Sequence, residues 1–151
     1  LRKPLPFPDN SCSHFVMSHC LEHITFQQAW NCIAECRRVL VPGGVLRVAV
    51  PDLAKIRRDM TAEYQEAVKK GGHGDGSVYS TLKACVFEHG HESVWTQELL
   101  KTVLDAHNFN VRYCAYGQST DPVLVNCDMH WKTVGENVAK VETPICEGVK
   151  P

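Results

Sequence analysis

The hydrophobic pattern of the first fifty residues switches from an apolar run to helical spacing and back. Phe15, Val16 and Met17 form a short apolar run consistent with a buried strand that begins near Ser13, and Pro4, Pro6, Pro8, Asp9 and Asn10 mark an extended loop before it. Thr25 and Gln28 have the spacing of a capping box, and Phe26, Ala29, Trp30, Ile33, Cys36 and Leu40 recur at three- and four-residue steps, which predicts a helix packed on a sheet. Pro42-Gly43-Gly44 should end that helix, because proline cannot extend the hydrogen-bond ladder and glycine accepts a left-handed turn. The β-branched run from Val45 to Val50 then reads as a second strand, stopped by Pro51.

Farther along, Leu53, Ile56, Met60, Tyr64 and Ala67 or Val68 keep helical spacing as far as the run Gly71-Gly72-His73-Gly74-Asp75-Gly76. That run lacks the strand before it, the helix directly after it and the glycine spacing of a phosphate cradle, so it reads as a linker or lid. Thr96 can cap a helix whose buried face is Leu99, Leu100, Val103 and Leu104, with Asn108 suited to the left-handed position at its end. Phe109 to Ala115 predicts another strand, residues 117–122 carry turn chemistry, and Val138 to Glu142 is the expected final strand.

A chain of 151 residues with 44% hydrophobic content can bury one core, so 1–151 is expected to be a single domain. A net charge of −1, with no basic cluster longer than a pair such as Arg37-Arg38, Arg57-Arg58 or Lys69-Lys70, argues against nucleic acid as a partner. No apolar run approaches the roughly 20 residues that span a bilayer, and Leu-Arg-Lys-Pro opens no signal-peptide segment, so no membrane partner and a cytoplasmic location are expected. The eight cysteines fall mostly in predicted helices and strands without a C-x-x-C pair, which favours reduced, small apolar side chains over disulfides.

Two histidine clusters carry candidate chemistry. His19-Cys20-Leu21-Glu22-His23 fits H-x-x-E-H, a zinc-peptidase signature that needs both imidazoles on one face of a continuous helix. With His19 next to a strand and the helix cap at Thr25, the two rings should diverge, and Glu22 and His23 can simply open the helix. His89-Gly90-His91, flanked by Glu88 and Glu92, could hold a metal, although such loops are more often solvated polarity. No residue is assigned as a metal ligand.

These segments resemble the C-terminal half of a class I S-adenosylmethionine-dependent methyltransferase. Leu5-Pro6-Phe7-Pro8-Asp9-Asn10-Ser11, Ser18-His19-Cys20-Leu21-Glu22-His23-Ile24, Arg38-Val39-Leu40-Val41-Pro42-Gly43-Gly44 and the strand from Leu46 to Asp52 stand where that family has LPFPDNS, S-x-H-V-LEHI, RVLKPGG and L-x-I-x-x-PD. Beyond Leu53 the likeness thins to His91, the helix with Leu99, Leu100 and Leu104, an HNF turn where relatives have AGF, and Gly117-Gln118-Ser119.

The resemblance implies an α/β fold, a partial Rossmann-like sheet made of the fourth to seventh strands with the last pair antiparallel, and residues 54–92 as a helical insert and loop over the acceptor side. In relatives a glycine-rich turn after the first strand and an acidic residue ending the second hold the cofactor. Neither occurs in these 151 residues, which start at Leu1 rather than Met, so the resemblance implies a truncated protein holding one wall of the pocket. By analogy Leu1 and Arg2 face the adenine and Ser18, His19 and Leu21 the methionine portion of S-adenosylmethionine. His19 is also the candidate base, and His91 a candidate substrate contact.

Three readings follow: an enzyme completed by an N-terminal half, a non-catalytic remnant serving as a dimeric binding or assembly module, and a zinc hydrolase. In the first two, weak or absent S-adenosylmethionine binding by the isolated chain is expected. So is pairing of the exposed Phe15–Ser18 strand edge, either with a second copy or under the Pro-rich segment.

Overall fold

The computed structural model describes residues 4–71 and 74–151. Its framework is a four-stranded sheet among the described residues, made of β1 (Cys12–Ser18), β2 (Leu40–Ala49), β3 (Asn110–Cys114) and β4 (Ile145–Val149) in the order β1-β2-β4-β3. β1 and β2 run parallel, pairing Phe15 with Leu46 and Met17 with Val48, while β4 lies antiparallel between β2 and β3. A parallel pair needs a crossover. Here it is α1 (Phe26–Val39), whose start carries the predicted capping box: Gln28 N–H donates to Thr25 Oγ1, and Thr25 N–H donates to Gln28 Oε1.

Three expectations are corrected. Leu40 to Ala49 forms one strand, so Pro42-Gly43-Gly44 lies within β2. Gly43 takes φ +78°, and the ladder shifts register opposite Cys12 and His14. A Cβ on Gly44 would stand 2.8 Å from the Val41 carbonyl oxygen and 3.0 Å from that of Ser13, so this irregular stretch requires glycine for close backbone approach.

The helical pattern after Pro51 is two helices, α2 (Leu53–Asp59) and α3 (Ala62–Lys70), because Thr61 turns extended and caps the second by accepting from Tyr64 N–H. Ser77 caps a further helix, α4 (Val78–Phe87), in the same way. Val138 to Glu142 is not the last strand. It belongs to α7 (Glu136–Glu142), which follows the short α6 (Trp131–Val134), and β4 comes out of the segment expected to be a tail. In contrast, α5 (Gln97–Ala106), its Thr96 cap and the left-handed Asn108 at φ +56° match the reading of the residues.

The two faces of the sheet are chemically different. Leu46, Val48, Met17 and Cys146 face α1 and α5, where Ala29, Ile33, Cys36, Leu100, Val103 and Leu104 complete the main core. On the other face Arg47 and Glu147 are wholly buried beneath the segment that holds Gln118 and Asp128. A smaller core of Ile56, Tyr64, Val68 and Val138 joins α2, α3 and α7 into a helical cap beyond the strand ends.

β1 is an edge of this sheet, with Val16 42% exposed. Among the described residues the Pro-rich segment does not pair with it. Arg38 instead donates to the Leu5 and Phe7 carbonyls and to Asp9, tying that segment to the end of α1, and Phe7 meets Phe15 edge-on at 6.3 Å. All eight cysteines are free; Cys32, Cys36 and Cys146 are buried and Cys20 is exposed.

Candidate functional site

A cavity of about 300 Å³ opens between the ends of β1 and β2 and the helical cap. His19, Glu22, His23 and Pro51 line it from the sheet side, Val68, Thr81, Ala84 and Cys85 from α3 and α4, and His130, Val138 and Glu142 from the segment ending in α7. Open α/β sheets bind ligands outside the carboxyl ends of their strands, which is where this cavity lies.

Local geometry places the histidines. His19 leaves β1 with φ +51°, its N–H still donating to the Ala49 carbonyl, so the chain turns sharply at the strand end. Leu21–His23 then makes one 3-10 turn and not the opening of α1. Glu22 therefore points inward, 2% exposed, and not along the helix axis. His91, far along the chain from His23, is brought beside it by a backbone clamp: Glu92 N–H and Ser93 N–H both donate to the Glu22 carbonyl, and Ser93 Oγ donates to that of Leu21. Trp95, fully buried, donates from Nε1 to Ser93 Oγ and holds the clamp from the core.

The imidazoles sort into two pairs. His19 stacks on His130 with ring centroids 3.5 Å apart and 19° between planes, and His23 meets His91 edge-on at 4.9 Å. His19 and His23 thus diverge, so the zinc-peptidase helix geometry does not form.

Around His19, Nδ1 lies 3.1 Å from Glu22 Oε1 and Nε2 3.0 Å from Thr143 Oγ1. That sets a carboxylate, an imidazole and a hydroxyl in one row. Beside it, the Tyr64 hydroxyl donates to Glu142 Oε1 at 2.6 Å, and burial with the adjacent carboxylate pushes the phenol far above its ordinary value. Glu142 Oε2 lies 3.9 Å from His130 Nε2. Burial and the carboxylates of Glu142 and Glu22 push the thiol of Cys85, in the wall, up to about 12, which disfavours its thiolate.

Of the residues singled out from sequence, His19 and His91 line the cavity. Ser18 is at the end of β1, half-buried, its carbonyl accepting from Cys20 Sγ. Leu21 is wholly buried in the main core and does not face the cavity. Leu1 and Arg2 lie outside the described residues. Sequence spacing does not point to His130, Glu142 or Tyr64; each is distant from the motif, and Glu142 falls in the segment expected to be a strand.

Residues 2–48 match the methyltransferase domain family. No curated protein matches the chain in sequence. Among solved structures, a complex between the Haloferax volcanii Trm112 methyltransferase activator and a protein assigned as a methyltransferase superposes with a TM-score of 0.56 at 18% identity, covering 97% of this chain and 57% of the other. A SAM-dependent methyltransferase from Thermotoga maritima gives 0.54 at 17% identity, covering 97% and 60%, and one from Archaeoglobus fulgidus gives 0.50 at 12%, covering 95% and 62%.

Sheet order, cavity position and superposition define an α/β protein of the class I S-adenosylmethionine-dependent methyltransferase fold. The segment that matches the methyltransferase domain family, 2–48, holds most of the motifs between Leu5 and Leu53 and supplies β1, α1 and most of β2. The chain spans about three fifths of the length of these solved relatives. The described residues do not by themselves make a full cofactor cradle. Among the described residues no glycine-rich turn links a strand directly to a helix, and the acidic residue after β2, Asp52, is committed to capping: its Oδ1 accepts from Lys55 N–H and its Oδ2 from Gln97 N–H.

Proposed function

We propose that this chain forms the acceptor side of an S-adenosylmethionine-dependent methyltransferase and works with a donor-binding half carried on a further segment or another chain. The observation that carries the reading is the histidine-lined cavity at the ends of β1 and β2, in a fold whose relatives transfer methyl groups. Methyl transfer from a sulfonium asks little of a protein beyond alignment and, for some acceptors, a base. His19 is the proposed base: Glu22 faces Nδ1, leaving Nε2, now beside the Thr143 hydroxyl, to take a proton from the acceptor. His91, which lines the same cavity beside His23, contacts the acceptor, a small molecule, lipid or sugar.

Label transfer tests this reading. The product of the gene, given methyl-labelled S-adenosylmethionine and fractionated metabolite, lipid and glycan extracts, is expected to move label into one fraction. The 151-residue chain alone is expected to show no calorimetric heat with the cofactor at micromolar concentrations. Cofactor binding without label transfer to any fraction would favour the non-catalytic module instead.

The open edge of β1 supports assembly. An unpaired apolar strand edge is a template for another strand, and one neighbour of this fold is a complex with an activator protein. Light scattering on the purified chain at tens of micromolar is expected to give a dimer, and adding a charge by Val16→Lys is expected to give a monomer. A wild-type monomer would remove the edge from the proposal.

A further inference from the structure

The Glu22 carboxylate poses a problem that the methyl-transfer reading does not solve. It is 2% exposed, and neither oxygen has an aligned hydrogen-bond donor, although His19 Nδ1 comes within 3.1 Å of Oε1. A carboxylate held this way is costly unless a cation or a proton compensates it.

The groups around it suggest which. One ligand atom each from Glu22, His23 and His91 lies within 4.8 Å of the other two. The His91 ring is already fixed as metal-binding histidines are. Its Nδ1 is 2.6 Å from the Cys85 carbonyl, which can only accept, so the proton sits on Nδ1 and Nε2 keeps its lone pair. His23 stands edge-on to that ring at 4.9 Å. The backbone clamp from Glu92 and Ser93 onto the Glu22 carbonyl holds the three residues together.

We propose that Glu22, His23 and His91 form a divalent transition-metal site, one carboxylate and two imidazoles, with its remaining coordination open to the cavity. Three donors of this kind suit zinc and its neighbours, whose bonds to nitrogen and oxygen are about 2.0–2.2 Å. The ligand atoms need to close inward by roughly an ångström to reach that geometry. The two oxygens of Glu22 divide between its neighbours, one facing His19 and the other turning to the ion. The clustering comes from tertiary packing rather than a contiguous motif. His19, the residue that would complete the H-x-x-E-H signature, stacks instead on His130 and stays out of the ligand set.

Cobalt(II) added to the metal-free chain tests this by the visible absorption it gains in a protein site. Binding of one equivalent is expected, with nitrogen and oxygen ligation and no sulfur-to-cobalt charge-transfer band despite the eight cysteines. Glu22→Gln, His23→Ala and His91→Ala should each weaken cobalt at least tenfold, and zinc should displace it. His14→Gln, at the opposite end of β1, should leave binding unchanged. Circular dichroism confirms the fold of each variant, and Glu22→Gln keeps the shape of the buried side chain. Absence of a one-equivalent site would overturn the proposal, as would a site dominated by thiolate or wild-type affinity in all three ligand variants. None of these measurements uses a methyl donor or acceptor, so they can fail while the methyltransferase reading stands.

Discussion

Arg47→Met is expected to lower the stability of the fold by about 3–5 kcal/mol in urea denaturation, a large part of the roughly 5–15 kcal/mol typical of a domain. The reason is the company Arg47 keeps. Its guanidinium, wholly buried, donates from Nε and Nη2 to both oxygens of Asp128 and from Nη1 to Glu147 and to the Gln118 carbonyl. Burial opposes its charge, yet the hydrogen bonds to Asp128 and Glu147 outweigh that and keep it firmly protonated. Asp128 also accepts from Gly117 N–H, and Arg112 donates to the second oxygen of Glu147.

Removing Arg47 takes the two-pronged guanidinium from Asp128 and leaves Glu147 with Arg112 and Ser119, which is the expensive way to break a buried pair. Arg47→Lys should fall between, because it keeps the charge and loses the two-pronged contact with Asp128. The consequence reaches the cavity. The network anchors the segment from Gly117 to Asp128, and His130, two residues on, is the ring stacked on His19.

The same network fixes a dependence on pH. Burial alone would raise the Glu147 carboxyl, but hydrogen bonds from Ser119, Arg112 and Arg47 bring it below its ordinary value. A carboxylate lowered in the folded state contributes stability that is present above its unfolded value, about 4.3, and is lost as pH falls through the lower folded value. The stability gap between wild type and Arg47→Met should therefore be full at about pH 7 and shrink below about pH 4. A gap that stays constant down to about pH 3 would mean that Glu147 does not draw its charge stabilisation from Arg47.

For the site, His19→Asn is expected to reduce methyl transfer by about 10²–10⁴-fold, the range attributable to a general base. Asparagine is the informative substitute. It accepts the left-handed backbone that His19 holds at φ +51°, so the strand-end turn survives while the imidazole is lost. The variant should keep its unfolding midpoint close to that of wild type while it loses rate. A loss of rate well short of that range would assign His19 to positioning Glu22 and Thr143 instead. His107→Asn, on a ring packed against Trp30 far along the fold, should leave the rate intact.

Residues near in sequence announced their structure. The β1 run, the capping box of α1, the Thr96 cap of α5 and the left-handed Asn108 are set by spacing and by side chains that bond their own backbone, and all of them form as read. The methyltransferase motifs are of this kind, continuous over Leu5 to Leu53, which is why the fold class was visible there and thinned beyond it.

Where local preference was weak, packing decided. Val138 to Glu142 has β-compatible residues but sits as a helix because Val138 joins Ile56, Tyr64 and Val68 in the small core, and the true last strand is Ile145–Val149, where Cys146 fills the main core and Gly148 lies flat under the Phe109 ring. The helical pattern after Leu53 likewise gave no sign of the break that Thr61 makes.

The candidate site divides along the same line. His19, Glu22 and His23 stood out as a motif, yet the sequence could not say that Glu22 would be buried without a donor, that Leu21 would turn into the core, or that His130, Glu142 and Tyr64 would come to the same cavity. Spacing along a chain encodes what a residue does to its own backbone within a turn or two. A cavity is made by residues far apart along the chain, and only the sheet order, the clamp on the Glu22 carbonyl and the buried Arg47 network determine which of them meet.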